Sequence, residues 1–371
     1  EPAICKPGTY AEMSSVQNFF NGVVEEFRGL WKRGDRAGAL KACEKIRSLP
    51  GFSWSREAIA IRSLVQEVSK RGRLASWSFI RSLSGHEDSV VSLHASQDSL
   101  TLLTGSLDGT AVLWDVVSGR GVKRFAVGSP VTQALHFPRS LRVVTASQDS
   151  VLRLWDLKGA LLLEIPDLGA PIALSTGGSE IAAVSRAGEP VRIDLEKNRV
   201  LSRGAPIKCD RFVCFSARLD TVYSLRGETR IQRWSVSSGR NEGSFRDLGR
   251  KITALEPAPR SDRLIAAMED GEIIIYFVGS GINVGGLRSN LSPVRSVDAS
   301  KDGRHLVAGA DDCSLRVWDL SEERCIAVLE GHSRPIRCVH FFPNMALVAS
   351  SSAKGSVRLW GLEWELSPVG G

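Results

Sequence analysis

The chain has 371 residues, of which 43% are hydrophobic and 24% are charged, the balance of a soluble globular protein. Its longest apolar run, Ile273 to Val278, is far too short to span a bilayer, so we predict no transmembrane helix. The formal net charge is +7. The first 75 residues carry 13 basic and 8 acidic side chains, which leaves 35 against 33 for the remainder. This near-balance gives no global charge argument for binding nucleic acid.

The cysteines are odd in number and scattered. They are Cys5, Cys43, Cys209, Cys214, Cys313, Cys325 and Cys338. A disulfide framework or a zinc site would show regular spacing, so we expect reduced, mostly buried thiols, no metal and no other cofactor. Reduced thiols are typical of a cytoplasmic protein, with a nuclear location as the alternative. Because the sequence starts at Glu1 without an initiator Met, we expect a processed chain or a piece of a longer one.

Residues 14 to 71 show the spacing of three amphipathic helices, which predicts a helical segment over 1–75. Apolar positions of the first helix are Phe19, Phe20, Val23, Val24, Phe27, Leu30 and Trp31. Those of the second are Leu40, Cys43 and Ile46, and those of the third are Ala58, Ile59, Ile61, Leu64, Val65 and Val68. Gly34 is expected to end the first helix, Ser55 to cap the third, and Gly72 to end it.

The apolar faces of these helices need a cover. They can pack as a local bundle or on the rest of the chain, and the alternative is a dimerisation or docking element. The candidate docking face consists of four aromatic residues of the first helix. They are Phe19, Phe20, Phe27 and Trp31.

After residue 75, one kind of unit recurs about every forty residues. The marker is the aromatic or aliphatic residue that ends a β-rich run. The series is Trp114, Trp155, Ile193, Trp234, Tyr276, Trp318 and Trp360. Each unit reads as four short strands separated by polar loops and an Asp-Gly type of turn. One such sheet is too small to stand alone, and a closed ring shields every copy with its neighbours.

The units resemble the repeat of WD-repeat (WD40) proteins. The closest matches are Leu83–His86 with Leu103–Gly109 and Trp114-Asp115, Val307–Asp312 with Val317–Asp319, and Leu329–His332 with Leu359-Trp360. The resemblance implies an all-β, seven-bladed propeller over 76–363, with a tail over 364–371. It also implies that the first strand of each unit belongs to the preceding blade. Residues 77 to 83 would then complete the last blade and close the ring.

In that family a histidine, a hydroxyl residue, an aspartate and the tryptophan of one unit form a buried hydrogen-bonded chain. The first unit carries the whole set, His86, Thr104, Asp108 and Trp114. The last unit has Lys354 in place of the aspartate, and the sixth has Asn290 in place of the histidine. A His–Asp pair suggests catalysis, but mutual satisfaction of buried polar groups explains it better. No GxxxxGK[ST], HExxH or GxSxG occurs, so we expect no enzyme.

Recognition is then the expected function, and loops carry it. Cationic residues collect in the loops and turns of one rim, in units three to seven. They are Arg186, Lys208, Arg226, Arg250, Lys251, Arg288, Arg334 and Lys354. Nearby acidic residues are fewer, chiefly Glu189, Glu228, Glu269, Asp311 and Asp312. The hypothesis is an electropositive rim that binds an acidic or phosphorylated segment of another protein, against the alternative of an ordinary solvated surface.

The leading expectation is therefore a non-enzymatic protein-protein interaction scaffold in a larger cytosolic signalling or assembly protein. One alternative is a sensor propeller that restrains an upstream kinase or NTPase domain. Another is a substrate receptor of a ubiquitin ligase, which the lack of a recognisable F-box disfavours. Single-stranded nucleic acid is disfavoured as well, because few aromatic residues alternate with the rim cations.

Overall fold

A computed structural model describes residues 10–49, 52–66, 69–137, 142–174, 180–197, 199–209, 211–216, 218–259, 261–288 and 292–368. Three helices precede seven four-stranded antiparallel sheets, which confirms the predicted seven-bladed propeller with an N-terminal helical segment. Cys5, Val68 and Asn290 lie outside the described residues.

The helices begin and end largely where their capping residues predict. Their bounds are α1 Tyr10–Lys32, α2 Arg36–Ser48 and α3 Arg56–Gln66. Gly34 follows α1 with a φ of +79°, the left-handed conformation that glycine adopts without strain. Ser55 caps α3, because its Oγ accepts a hydrogen bond from the Ala58 amide at 3.2 Å. The expected end at Gly72 is wrong, since that residue already lies in the first strand.

The aromatic face of α1 is the core of a small helical bundle rather than an open docking face. Phe20 and Phe27 are buried among residues of α2 and α3. Trp31 is half-buried, stacks on Phe27 and carries the guanidinium of Arg36 over its ring. Of the four predicted docking residues only Phe19 is well exposed, at 55%. The periodicity correctly predicted an apolar face on α1, but α2 and α3 pack against that face.

Each blade is numbered by its place in the ring, and its strands run from the innermost to the outermost. Blade 1 is β2 Val90–Ala95, β3 Thr101–Ser106, β4 Thr110–Asp115 and β5 Gly121–Ala126. Blade 2 is β6 Val131–His136, β7 Arg142–Ser147, β8 Val151–Asp156 and β9 Leu161–Pro166. Blade 3 is β10 Leu168–Leu174, β11 Glu180–Ser185, β12 Pro190–Asp194 and β13 Arg199–Arg203. Blade 4 is β14 Arg211–Phe215, β15 Thr221–Arg226, β16 Arg230–Ser235 and β17 Asn241–Ser244.

The remaining blades follow the same plan. Blade 5 is β18 Ile252–Pro257, β19 Arg263–Met268, β20 Glu272–Phe277 and β21 Ile282–Arg288. Blade 6 is β22 Val294–Ala299, β23 His305–Ala310, β24 Leu315–Asp319 and β25 Arg324–Leu329. Blade 7 is β26 Ile336–Phe341, β27 Leu347–Ser352, β28 Val357–Pro368 and β1 Ser69–Leu83. Its outermost strand thus comes from the start of the propeller, as the resemblance implies.

The closing pair is longer than any other strand pair of the described chain. Strand β1 pairs with β28 from Ser69↔Pro368 to Leu83↔Val357, so the sheet extends beyond 76–363 at both ends. Trp77 and Phe79 pack edge-on against Trp360, with ring centroids 6.0 and 5.8 Å apart. Pairing of the two chain ends removes two open sheet edges that would otherwise invite association.

The core lies between blades. One apolar cluster joins Ile265 of blade 5 to Val297 and Trp318 of blade 6, and similar clusters join other neighbouring blades. Inner strands are therefore buried, as in β27, whereas the outermost strand β13 is exposed along its whole length. Each sheet depends on its neighbours for shelter from water.

The helical bundle is fastened to the closing blade by ion pairs. The buried guanidinium of Arg62 lies 2.8 Å from Glu363 on β28 and stacks over the ring of Trp54. Arg47 of α2 contacts the same carboxylate at 2.5 Å. Arg56 of α3 reaches Asp115 of blade 1 at 2.7 Å. The helices thus span the junction where the ring begins and ends, which we call the seam: α1 to α3 with blades 7 and 1.

Candidate partner-binding rim

Consecutive turns of an antiparallel blade alternate between two rims of the ring. The upper rim, as we define it, consists of the loops that lead into each innermost strand and the turns between the second and third strands. The turns between the first and second and between the third and fourth strands form the lower rim. All eight predicted cations lie on the upper rim, beside the residues of the predicted hydrogen-bonded chain.

Blade 1 holds that chain in full. His86 Nδ1 lies 2.8 Å from Asp108 Oδ2, and His86 Nε2 lies 2.7 Å from Thr104 Oγ1. Trp114 Nε1 donates to the same Thr104 oxygen at 2.9 Å. This order of donors places the imidazole proton on Nδ1, toward the aspartate.

The electrostatics of the blade 1 chain are those of a structural network. Burial lowers the pKa of His86 despite its hydrogen bond to Asp108. Burial opposes the charge of Asp108, but hydrogen bonds from Thr110, His86 and the Glu87 amide hold the pKa of Asp108 below its ordinary value. A neutral histidine and a carboxylate that is already satisfied lie within the blade, and each group has its partner.

Other blades keep only parts of the chain. In blade 7, His332 and Trp360 both bind Ser350 Oγ, at 2.7 and 2.8 Å. In blade 2, Thr145 accepts only from Trp155, at 2.9 Å. In blade 6, the buried Trp318 Nε1 has no hydrogen-bond partner among the described residues, and Ala308 stands in register where blade 1 has Thr104.

Three of the eight rim cations are neutralised within their own neighbourhood. Arg250 pairs with Asp270 at 2.8 Å and also with Glu272. Lys251 lies 3.4 Å from Glu228 and 3.7 Å from Glu269. Arg288 lies 3.6 Å from Glu272. The expected single electropositive band through units three to seven is therefore interrupted at blade 5.

Two further cations stand apart on blade 7. Arg334 lies in the loop before β26 and Lys354 in the turn before β28, and both are exposed. Among the described residues neither of them has a carboxylate partner within ion-pair distance. They belong to the seam rather than to the degenerate blades.

The structure brings the remaining three, Arg186, Lys208 and Arg226, to one cleft between blades 3 and 4. The cleft has a volume of about 620 Å³ and opens to solvent. Its lining is Arg186, Ala187, Gly188, Ile207, Lys208, Cys209, Arg226, Gln232 and Trp234. No aspartate or glutamate is among these lining residues. We refer to it as the basic cleft.

Local structure explains how the basic cleft is held. Arg186 follows β11, Lys208 lies in the loop before β14, and Arg226 ends β15. The turn of blade 3 lies directly against that loop, since a Cβ on Gly188 would be 2.7 Å from the Ile207 carbonyl oxygen. Gly188 also has a φ of +83°, so both the turn and the close approach require glycine.

A second cavity, of about 520 Å³, is the central channel, and sequence reasoning missed its titratable lining. His340 Nδ1 lies 2.8 Å from Asp298 Oδ2, and the rings of His94 and His340 stack with centroids 5.5 Å apart. Burial holds the pKa of His94 well below its ordinary value, and burial together with the Asp298 charge raises that of Glu256 well above it. All four residues are fifth in an innermost strand, so the repeat register was the signal that could have found them.

The described part of the chain lacks two further features. No three His, Cys, Asp or Glu side chains there are grouped so that they could hold a metal ion. No helix in the same part is long and apolar enough to cross a membrane.

Comparison with known proteins matches the fold. The WD40 family, described as WD domain, G-beta repeat, matches residues 77–115, 282–319 and 323–361. Each stretch contains the outermost strand of one blade and the first three strands of the next.

Several characterised proteins are similar to parts of this chain. NACHT domain- and WD repeat-containing protein 1 of Mus musculus is 33% identical over 197 residues, which cover 50% of this chain and 12% of the relative. Small ribosomal subunit protein RACK1y of Oryza sativa subsp. japonica is 29% identical over 82 residues, 22% of this chain and 24% of the relative. Ribosome biogenesis protein YTM1 of Saccharomyces cerevisiae is 36% identical over 81 residues, 22% of this chain and 17% of the relative. The chain thus aligns with less than a quarter of the length of each of these relatives.

Proposed function

Because the chain is a seven-bladed β-propeller in which three stretches match the WD40 repeat, we propose that it is a non-enzymatic scaffold that docks an anionic segment of a partner protein at the basic cleft. Propellers of this kind are in general interaction platforms, and fold alone does not choose the partner. The observation that carries the proposal is the convergence of Arg186, Lys208 and Arg226 on a cleft whose described lining residues include no aspartate or glutamate.

The charge of the basic cleft supports an anionic partner. Arg186 Nη2 donates to the Asp149 carbonyl oxygen at 3.0 Å, which positions the guanidinium without neutralising it. Lys208 and Arg226 are exposed and have no ion-pair partner among the described residues. Like charges held in a concave site raise the local potential, steer an anionic partner and favour its binding.

The aromatic pattern favours a protein over single-stranded nucleic acid. Stacking of bases needs exposed aromatic rings between the basic residues. Well-exposed aromatic residues of the described chain are Phe19, Trp77, Phe79 and Phe277. These lie on α1, on the outermost strand β1 and at the lower rim end of β20, away from the basic cleft.

A charge reversal with a matched control tests the proposal. The test variant is Arg186→Glu, Lys208→Glu and Arg226→Glu. The control reverses three exposed lysines of the lower rim, Lys158→Glu, Lys197→Glu and Lys301→Glu. We expect proteins captured by the wild-type chain to be retained by the control and lost by the test variant, while both variants melt like wild type. Capture of the same proteins by a folded test variant contradicts docking at the basic cleft.

The relatives favour one second candidate, a propeller that regulates another domain of a longer chain. NACHT domain- and WD repeat-containing protein 1 of mouse and human aligns with this chain over only 12% and 13% of its length. If a catalytic domain belongs to the same natural chain, reversal of the basic cleft should change its activity. Unchanged activity with unchanged folding contradicts the regulatory function and leaves the scaffold proposal in place.

We propose a cytosolic or nuclear location for this docking. The support is that none of the six described cysteines is in a disulfide bond. Fluorescence microscopy of a tagged chain measures the location, and signal in an exported fraction contradicts it.

A further inference from the structure

The basic cleft matches one kind of anion better than the others. Resting on the proposed docking function, we propose that it binds a phosphate monoester on a partner, a phosphoserine or phosphothreonine side chain, in preference to aspartate or glutamate. The inference adds the chemistry that the partner segment carries.

The charge of the basic cleft favours a phosphate over a carboxylate. Three cationic side chains line the basic cleft, and none of the described residues that line it is acidic. A carboxylate carries one charge and would leave the cleft positive. A phosphorylated residue carries about −1.5 to −2 charges and three acceptor oxygens, which three cationic donors can share. The Gln232 amide adds a neutral donor to the same lining.

Two acidic residues near the cleft pair with cations outside its lining, and a third, Asp167, accepts a hydrogen bond from the backbone amide of Arg186 at 3.3 Å. Glu228 pairs with Lys251 at 3.4 Å, on the side of blade 5. Glu189 pairs with Arg203 at 3.3 Å. In blade 1 the corresponding turn carries Asp108, which accepts from His86, whereas the blade 3 turn has Ala187. The blade 3 turn therefore contributes Ala187, and no carboxylate, to the described lining of the cleft.

The floor of the cleft is apolar, which favours binding of a charged group above it. Trp234 donates its Nε1 proton to Ser224 at 2.8 Å, so the indole presents carbon rather than a donor. Ile207 is buried, and both Trp234 and Cys209 pack against its apolar cluster. An apolar floor excludes water below the bound group and strengthens charge interactions above it. A volume of about 620 Å³ also admits the residues that flank a phosphorylated side chain.

Binding of defined peptide pools tests the inference. Three fluorescent pools of random peptides carry phosphoserine, serine or glutamate at one fixed central position. Fluorescence anisotropy measures their affinity for the wild-type chain, for Lys208→Ala with Arg226→Ala, and for a matched control. The control is Arg334→Ala with Lys354→Ala, which removes two exposed cations of the same rim outside the cleft. Melting curves confirm that each variant is folded.

We expect the phosphoserine pool to bind wild type and the control at least about tenfold more tightly than the glutamate pool, by the stronger charge-assisted bonds. The Lys208→Ala, Arg226→Ala variant should lose at least about tenfold of that affinity. Inorganic phosphate should displace the pool from wild type more effectively than chloride at the same ionic strength. This displacement keeps the test decisive if the double variant fails to fold.

Two results would overturn the inference while leaving the docking proposal intact. One is equal affinity of the phosphoserine and glutamate pools, both lost in the cleft variant. The other is that no peptide pool binds, while the Arg186→Glu, Lys208→Glu and Arg226→Glu variant still fails to capture partner proteins. Undiminished phosphoserine binding by a folded Lys208→Ala, Arg226→Ala variant overturns the site itself. The inference and the docking proposal both fail if no peptide pool binds and if the Arg186, Lys208, Arg226 reversal captures the same proteins as its lysine control.

Discussion

The seam and the basic cleft use polar side chains in opposite ways. At the seam, His86 binds both Asp108 and Thr104 inside blade 1, and Arg62 of α3 binds Glu363 of β28. At the basic cleft, between blades 3 and 4, cations face solvent and lack acidic partners in the lining. Polar groups at the seam stabilise blade 1 and fasten the helices to blade 7, whereas those at the cleft are left available to a partner.

This difference explains why loss of the repeat pattern accompanies the proposed function. A blade whose neighbours bury its apolar faces remains folded without the internal chain, because that burial is the larger stabilising contribution. The turn and loop positions that hold Asp108 and His86 in blade 1 are then free to carry other residues. In blades 3 and 4 the position of Asp108 carries Ala187 and Glu228, and the basic residues of the cleft lie beside it in the same turns and in the loop before β14.

Deletion of residues 76–83 should have the largest effect on the seam. It removes most of β1, uncovers the edge of β28 and exposes Trp360, which Trp77 and Phe79 cover. We expect an unfolded or oligomeric chain. Light scattering after size exclusion and calorimetry measure both outcomes. A monomer that melts cooperatively near the wild-type temperature contradicts closure by this strand.

Glu363→Ala should be the most damaging single substitution at the seam. It leaves the guanidinium of Arg62, whose side chain is only 6% exposed, without its carboxylate. Removal of one partner from such a pair costs about 3 kcal/mol. The matched control is Glu322→Ala, which breaks an exposed pair with Arg324 and should cost less than about 1 kcal/mol. Equal losses in urea unfolding would show that the helices do not depend on this contact.

Acid should weaken the seam through His332. Burial, with a smaller contribution from Arg358, lowers the pKa of His332 from 6.5 to about 4. Between pH 6.5 and 4, His332 is therefore protonated in the unfolded chain but not in the folded chain. The free energy of unfolding falls as the pH drops through this range. We expect wild type to lose about 3 kcal/mol more than His332→Gln over that range, with no further difference below it. Parallel loss in both chains, measured by urea unfolding at each pH, contradicts this assignment.

The hydrogen-bonded chain of blade 1 should contribute more to the free energy of unfolding than the single hydrogen bond that remains of it in blade 2. Thr104→Val removes an oxygen that serves both His86 and Trp114, and should cost about 2 kcal/mol. Thr145→Val makes the same chemical change where only Trp155 donates, and should cost about 1 kcal/mol. Thermal and chemical unfolding compare the two variants. A larger loss for Thr145→Val would mean that the histidine adds nothing.

The smallest expected effect is an increase in stability, obtained by adding a hydrogen-bond acceptor in blade 6. Ala308→Ser should give the buried Trp318 Nε1 a partner, as Ser350 does for Trp360, and stabilise the chain by about 1 kcal/mol. Ala183→Ser places a hydroxyl at the same register in blade 3, where Ile193 offers no donor, and should destabilise. A gain in melting temperature for both would contradict the assigned hydrogen bond.

The spacing of the marker residues was sufficient to predict the ring. The marker lies in the third strand of every blade, and Ile193 and Tyr276 occupy the tryptophan place, fully buried. The match holds because stacked copies impose one register on every unit. The start of β1 at Ser69 was not predictable, because residues 69–76 have no apolar alternation and become a strand only beside β28.

Charge partners were the least predictable feature of the rim. Arg250 and Glu272 are 22 positions apart, and Arg62 and Glu363 are 301 apart, so only the folded ring shows that they meet. Sequence reasoning gathered eight cations because it could assign them to a rim but could not pair them. It likewise found the apolar face of α1 but could not tell that α2 and α3 cover it.

A paired measurement of stability and binding tests the separation between the seam and the basic cleft most directly. Lys208→Ala with Arg226→Ala should melt like wild type and lose the phosphoserine pool, whereas Thr104→Val should melt earlier and bind the pool normally. The account is contradicted if the cleft variant binds like wild type, or if Thr104→Val loses the pool at a temperature where it is fully folded.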